Sequence, residues 1–175
     1  MPAIRHITRG LIDGSLSTLG TIIGASISGD PKVMVAAGLG GGMANAISNV
    51  LGAFTAERAD VMLQLSKYQK ALVGSDVDLK KTKIYERKKR KAQRNGIIDG
   101  ASTFVGSMIP MAPFAVLGLH EGIFAAVMMT ITLLFCLGIY LGKLSKENLV
   151  VAGSKMALFG VAAALLASSL QFFFG

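Results

Sequence analysis

The sequence predicts an all-α polytopic membrane protein with five transmembrane helices, and two observations carry this prediction. First, the chain of 175 residues is 52% hydrophobic but only 16% charged, whereas soluble domains contain roughly 25% charged residues. Second, five long segments contain no charged residue at all. A membrane core about 30 Å thick is crossed by about 20 apolar residues in a helix, so we expect each segment to form one span. A soluble protein of this size would have to bury five helices that lack a polar face.

The predicted spans form a single membrane domain over residues 1–175. Span 1 covers residues 10–28, span 2 residues 33–56, span 3 residues 96–118, span 4 residues 122–142 and span 5 residues 150–174. Span 3 contains Pro110 and Pro113, which should break or kink the helix. Between spans 2 and 3, we expect residues 57–73 to continue span 2 as a helix, residues 74–76 (GSD) to end it, and residues 78–94 to form a second, very basic helix.

Charge placement predicts the orientation of these spans. The insert at residues 57–95 has twelve Lys and Arg against five Asp and Glu, and five spans place seventeen of the eighteen basic residues on one side. The positive-inside rule then puts the N-terminus and the insert in the cytoplasm and the C-terminus outside. We expect the membrane to be a prokaryotic plasma membrane. A basic segment beside a membrane favours anionic lipid over nucleic acid as its partner, through Lys88, Lys89, Arg90 and Lys91.

An internal repeat links spans 1 and 3. Residues 10–23 (GLIDGSLSTLGTII) align without gaps to residues 96–109 (GIIDGASTFVGSMI), with six of fourteen positions identical. Because one span separates the two copies, both cross the membrane in the same direction, which makes them parallel repeats. Spans 1 and 2 then correspond to spans 3 and 4, and span 5 is additional.

Each repeat places an aspartate, Asp13 or Asp99, just inside the membrane, with a hydroxyl residue one helical turn later. Carboxylates within spans are costly and usually face an aqueous or ion pathway. An aspartate before a glycine can also cap a helix start, and the two roles are compatible. Asn45 and Asn49 lie one turn apart in span 2; their amides can bond to neighbouring helices or bind a hard cation. The candidate ion pathway is Asp13, Ser17, Asn45, Asn49, Asp99 and Thr103.

Glycine spacing indicates close helix packing. G-x-x-x-G occurs at Gly20–Gly24 and at Gly138–Gly142, and Gly106 is the repeat partner of Gly20. Such glycines allow helix backbones to approach closely and favour dimers. The two histidines, His6 and His120, are predicted to be interfacial residues at membrane boundaries rather than metal ligands.

The repeat motif around Asp13 and the polar segment of span 2 resemble those of the vacuolar iron transporter family, with this chain as a short prokaryotic-type member. Residues 10–14 (GLIDG) are similar to the family's span-1 motif, which has a membrane aspartate followed by glycine. Residues 46–54 (AISNVLGAF) and 56–58 (AER) look like its span-2 segment and exit, and residues 106–110 (GSMIP) look like its span-3 stretch.

The resemblance implies a homodimer with a pore lined by spans 1 and 2, and export of Fe²⁺ or Mn²⁺ from the cytoplasm in exchange for protons. It also implies the role of Asp13, which matches the family's span-1 aspartate. The chain departs from the family at Gly41, where members usually carry glutamate, at Asn49, where many carry methionine, and in its short, basic insert. We expect Asp13 to bind the metal, with Glu57 and Asp60, and Met62 nearby, as further candidate ligands at the exit of span 2. The repeat also allows Asp99 to replace a missing carboxylate.

Two functions from different classes follow. The first is a divalent-cation transporter without a resident cofactor. The alternative is a non-transporting scaffold, assembly or lipid-handling protein, in which the aspartates cap helices and the basic insert binds lipid or a partner. An enzyme is not predicted, because the chain has neither a glycine-rich phosphate loop nor a cluster of histidine ligands.

Overall fold

The computed structural model describes residues 2–71 and 83–174, and every regular element within these ranges is helical. The predicted all-α fold class is confirmed. There are five long helices: α1 (Pro2–Ala25), α2 (Pro31–Ala71), α3 (Lys83–Met111), α4 (Leu119–Ser145) and α5 (Leu149–Phe174). Short 3₁₀ turns follow α1 at Ser26–Ser28 and α3 at Ala112–Ala115.

The turns between helices are explained by their sequences. Gly29 ends the first 3₁₀ turn in the left-handed region, with φ of 67°, where glycine has no Cβ penalty. The Asp30 carboxylate then accepts a hydrogen bond from the backbone N–H of Lys32 at 2.8 Å, which caps α2. Asn148 caps α5 in the same way, through the N–H of Val150 at 3.1 Å.

The insert between spans 2 and 3 extends both of its neighbouring helices. α2 continues beyond its uncharged segment to Ala71, and α3 runs without interruption from the basic residues at Lys83 into the second repeat copy. The predicted break at residues 74–76 and the start of the second basic helix at residue 78 lie outside the described residues. α3 ends at Met111, immediately after Pro110, because proline cannot continue the helical hydrogen-bond ladder.

Four of the five helical segments are long and apolar enough to cross a membrane: Ile4–Ser28, Pro31–Tyr68, Leu119–Ser145 and Leu149–Phe174. α3 is not among them, because its first half is basic and Asp99 lies near its middle. The most extensive interfaces of α3 are with α1 and α2, and the polar residues in its second half, Asn95, Asp99, Thr103 and Ser107, are buried. Polar groups at membrane depth are tolerated when they face the interior of a helix bundle.

α1 is the central helix of the fold. Leu19 and Ile23 pack with Ala126 of α4 and Ala164 of α5. On another side of α1, Ile22 packs with residues of α2 and α3. α4 and α5 form a hairpin in which a Cβ added at Gly138 would lie 2.6 Å from the carbonyl oxygen of Ala152. The first three helices therefore pack together, and the α4–α5 hairpin closes one side of α1.

Candidate ion pathway

The two repeat copies lie against each other through glycine. A Cβ added at Gly10 would lie 2.5 Å from the carbonyl oxygen of Asp99, and one added at Gly14 would lie 1.9 Å from that of Thr103. Contacts advance in the same direction along both helices, so α1 and α3 run parallel. From the other side, a Cβ at Gly106 would lie 2.6 Å from the carbonyl oxygen of Leu11. This close approach brings the polar residues of both copies together.

Asn49 of α2 connects the two repeat copies. Its side-chain amide donates to the Asp13 carboxylate and to the Thr103 hydroxyl, the latter at 2.9 Å. Thr103 in turn donates to the carbonyl oxygen of Asp99, also at 2.9 Å. One turn away, Asn45 donates to Ser17 at 2.8 Å. The six predicted pathway residues therefore lie at the junction of α1, α2 and α3.

The two repeated aspartates have different surroundings. Asp13 is half-buried and lines an open cavity of about 640 Å³ together with Asn49, Arg5 and Arg9. Asp99 is fully buried. Its Oδ2 lies 3.6 Å from the Arg9 guanidinium. Of the two carboxylates, Asp13 is therefore the one that a solute in the cavity can reach.

His6 is the main functional candidate that sequence reasoning missed, because its predicted place at a membrane boundary did not indicate that its side chain would be buried in protein. The side chain is buried between two carboxylates: Nε2 lies 3.2 Å from Glu57 Oε1 and Nδ1 lies 3.6 Å from Asp99 Oδ2. Asn95 donates to the same Glu57 oxygen at 2.8 Å. The available signal was spacing, since His6 precedes Asp13 by seven residues and thus shares its helix face.

The Glu57 side chain lies at the wall of a second cavity, of about 470 Å³, between the N-terminal part of α1 and the extensions of α2 and α3. Asp60 lines this cavity too, and its carboxylate accepts a hydrogen bond from Gln64 at 3.2 Å. The second cavity is thus joined to the buried Asp99 through Glu57 and His6.

The five predicted metal ligands do not form one cluster. Within residues 2–71 and 83–174, no group of three or more His, Cys, Asp or Glu side chains is arranged to hold a metal ion. Asp13 faces the first cavity, Asp99 is buried against Arg9, and Glu57 and Asp60 line the second cavity. Met62 is partly buried on α2.

The predicted packing glycines separate into two groups. Gly106 lies against Leu11, and Gly138 and Gly142 lie against α5. In contrast, a Cβ added at Gly20 or Gly24 would have no neighbour within 4 Å among the described residues. Among the described residues, these two glycines therefore make no close packing contact.

The four basic residues predicted to meet lipid also divide between two faces of α3. The Lys88 ammonium hydrogen-bonds to Gln64 of α2 and lies 5.8 Å from the centre of the Tyr68 ring, and Lys91 lines the second cavity. Residues three apart share a helix face, so both turn toward α2. The Lys88 ammonium thus meets α2, and its contact with lipid stays a prediction. Lys89, Arg90 and Lys91 are exposed.

The fold and these buried polar side chains define a class: a polytopic helical membrane protein with carboxylates and amides enclosed among its first three helices. The sequence matches the VIT family over residues 4–88 and over residues 57–170. The chain therefore belongs to the VIT family, a family of membrane metal-ion transporters, as the resemblance of its motifs indicated. It is also 48% identical over 162 residues to "Uncharacterized protein MJ0645" of Methanocaldococcus jannaschii, an alignment that covers 93% of this chain and 85% of that protein.

Proposed function

We propose that this protein exports divalent metal cations, Fe²⁺ or Mn²⁺, from the cytoplasm in exchange for protons, through a pore at a homodimer interface. The observation that carries the proposal is Asp13, a half-buried carboxylate that lines an open cavity on a central, apolar helix. A carboxylate at this depth is costly unless it serves an ion. Family membership supplies the class of cargo.

The oxygens of Asp13, Asn49 and Thr103 suit a hard divalent cation, although Arg5 and Arg9 line the same cavity. Carboxylate, amide and hydroxyl oxygens are the ligands that such ions prefer, and Asp13, Asn49 and Thr103 are joined by hydrogen bonds. An ion arriving at Asp13 would replace the Asn49 amide as the partner of the carboxylate. The amide could then rotate and present its oxygen to the ion.

Reconstitution tests the proposal directly. Purified protein in proteoliposomes should carry Fe²⁺ and Mn²⁺ at a rate well above that of empty liposomes. A pH gradient that drives protons in the direction opposite to the metal should raise the metal flux, and the reverse gradient should lower it. Metal-sensitive and pH-sensitive dyes inside the vesicles report both fluxes. Folded protein that moves neither metal ion, with or without a pH gradient, would contradict the transporter proposal and favour the scaffold alternative.

The homodimer is supported by a row of small residues along α2. Every fourth residue over six positions is small and exposed: Ala36, Gly40, Ala44, Ser48, Gly52 and Ala56. A Cβ added at Gly40 or Gly52 would have no neighbour within 4 Å in the described chain. Small residues at this spacing let helices of two molecules approach closely in a membrane.

We expect the double substitution Gly40→Leu/Gly52→Leu to convert the dimer to a monomer, because leucine side chains would hold the two α2 helices apart. Light scattering in detergent gives the mass of the protein. The matched control is Ala162→Leu, which adds the same side chain to an exposed position on α5 and should leave the dimer intact. A dimer that persists in the double variant would show that this row is not the interface.

A further inference from the structure

We infer that a groove between α2 and α3 binds the phosphate group of an anionic phospholipid. The groove is a cavity of about 250 Å³ with Phe54, Val61 and Ala92 as apolar lining residues and Arg58 and Lys89 as its cations. Val61 and Ala92 are buried, whereas Arg58 and Lys89 are exposed. The site combines an apolar floor with two positive charges at the opening.

Within residues 2–71 and 83–174, the two cations have no acidic partner: no carboxylate lies within ion-pair distance of Arg58 or Lys89, whereas Arg90 on the same helix pairs with Glu86 at 3.8 Å. Lys88 is directed toward Gln64 instead. Unpaired cations beside an apolar surface attract an anion, and a guanidinium can bind a phosphate through two hydrogen bonds.

The groove lies where both helices change from apolar to basic. On α2, the uncharged segment at residues 33–56 ends just before Arg58. On α3, every fourth residue starting from Lys89 is exposed, in the order Lys89, Gln93, Ile97, Ala101 and Val105. This row begins with a cation, passes through an amide and ends with apolar side chains, which is the order of headgroup, glycerol region and acyl chain in a phospholipid.

The same order holds on α2. Ile47 and Leu51 are each 60% exposed, and they precede Phe54 and Arg58 along the helix. The apolar parts of both helices thus offer surface to acyl chains, while the cations meet the phosphate at the interface. Basic pockets between helices at this level are a known form of lipid recognition. This site lies apart from Asp13 and does not depend on the transport proposal, since binding can be measured without flux.

Native mass spectrometry of the full chain tests the site, with phosphatidylglycerol and phosphatidylcholine as the two probes. We expect the wild type to retain phosphatidylglycerol preferentially, and Arg58→Ala/Lys89→Ala to reduce its affinity about tenfold or more. The matched control, Lys83→Ala/Arg87→Ala, removes the same charge from exposed positions on α3 and should bind like the wild type. Arg58→Lys/Lys89→Arg keeps the charges and should also retain the lipid.

Three outcomes would overturn the inference. Equal retention of both lipids by the wild type would mean that no anionic headgroup is recognised. Equal losses in the two alanine pairs would mean that binding is diffuse electrostatic attraction. A thermal stabilisation by inorganic phosphate equal to that by phosphatidylglycerol would assign the site to a free anion. If the Arg58→Ala/Lys89→Ala variant does not fold, the single variant Lys89→Gln replaces it, with an expected loss of phosphatidylglycerol affinity of roughly fivefold.

Discussion

We expect the Asp13→Asn substitution to reduce divalent-metal flux roughly 100-fold or more while leaving the protein folded. Asparagine has nearly the same shape as aspartate, and its amide oxygen can still accept the hydrogen bond that Asn49 donates. What is lost is the negative charge that compensates a cation for its missing hydration shell. Mn²⁺ uptake into proteoliposomes, normalised to the amount of folded protein reconstituted, measures the effect.

The control for this variant is Asp30→Asn. Asp30 is exposed and caps α2, a role that asparagine fills equally well, so flux should stay at the wild-type rate. Flux in Asp13→Asn equal to that of Asp30→Asn would remove Asp13 from the pathway. The corresponding change in the second repeat copy is Asp99→Asn, which removes a buried carboxylate but leaves Arg9, whose side chain is 56% exposed, hydrated by solvent. We therefore expect only a small change in unfolding temperature. A flux that falls only in proportion to the amount of folded Asp99→Asn protein would make Asp99 a structural partner of Arg9 and His6 and not a ligand of the ion.

The second large effect is expected at Gly14. A Cβ at this position would lie 1.9 Å from the carbonyl oxygen of Thr103 and 2.9 Å from the backbone nitrogen of Ser107. Both are backbone atoms, so no side chain can rotate away, and α1 must move from α3. Overpacking usually costs about 1–3 kcal/mol and occasionally more. We expect Gly14→Ala to fall at or above the upper end of this range, and to disturb the bond between Asn49 and Thr103.

Thermal unfolding in detergent, followed by fluorescence-detected size-exclusion chromatography, measures the loss of stability in Gly14→Ala. The matched control is Gly24→Ala, the same change on the same helix at a position with no neighbour within 4 Å in the described chain. Its unfolding temperature should match that of the wild type. If Gly14→Ala and Gly24→Ala have the same unfolding temperature, the close contact between the two repeat copies does not stabilise the protein.

Much of the fold follows from the sequence, because the bilayer leaves few choices. Segments of about 20 residues without charge must form helices that satisfy their own backbone hydrogen bonds. The turn at residues 29–32 can also be predicted from the sequence, because its glycine favours the end of a helix and its aspartate and proline favour the start of the next one. The resemblance of residues 10–14, 46–54 and 106–110 was sufficient to predict the family.

The candidate site could be predicted only in part. The repeat singled out Asp13 and Asp99, but it treated them as equivalent, and the structure gives them different partners. Asp99 meets Arg9 and His6, whereas Asp13 meets Asn49. The equivalence fails because Gly14 of α1 faces α3, while its repeat partner Gly100 faces Val50 of α2. Similar sequences thus occupy different interfaces.

The sequence by itself determined that this protein is a bundle of membrane helices from a metal-transport family, with carboxylates in two related helices. Only the tertiary structure decided which neighbour each polar side chain meets. His6 became a buried link between Glu57 and Asp99, and Lys88 turned to α2 while Lys89 stayed exposed. The reason is physical: periodicity assigns a residue to a face of its helix, but in helices that are apolar nearly all round it does not say which face meets protein and which meets lipid.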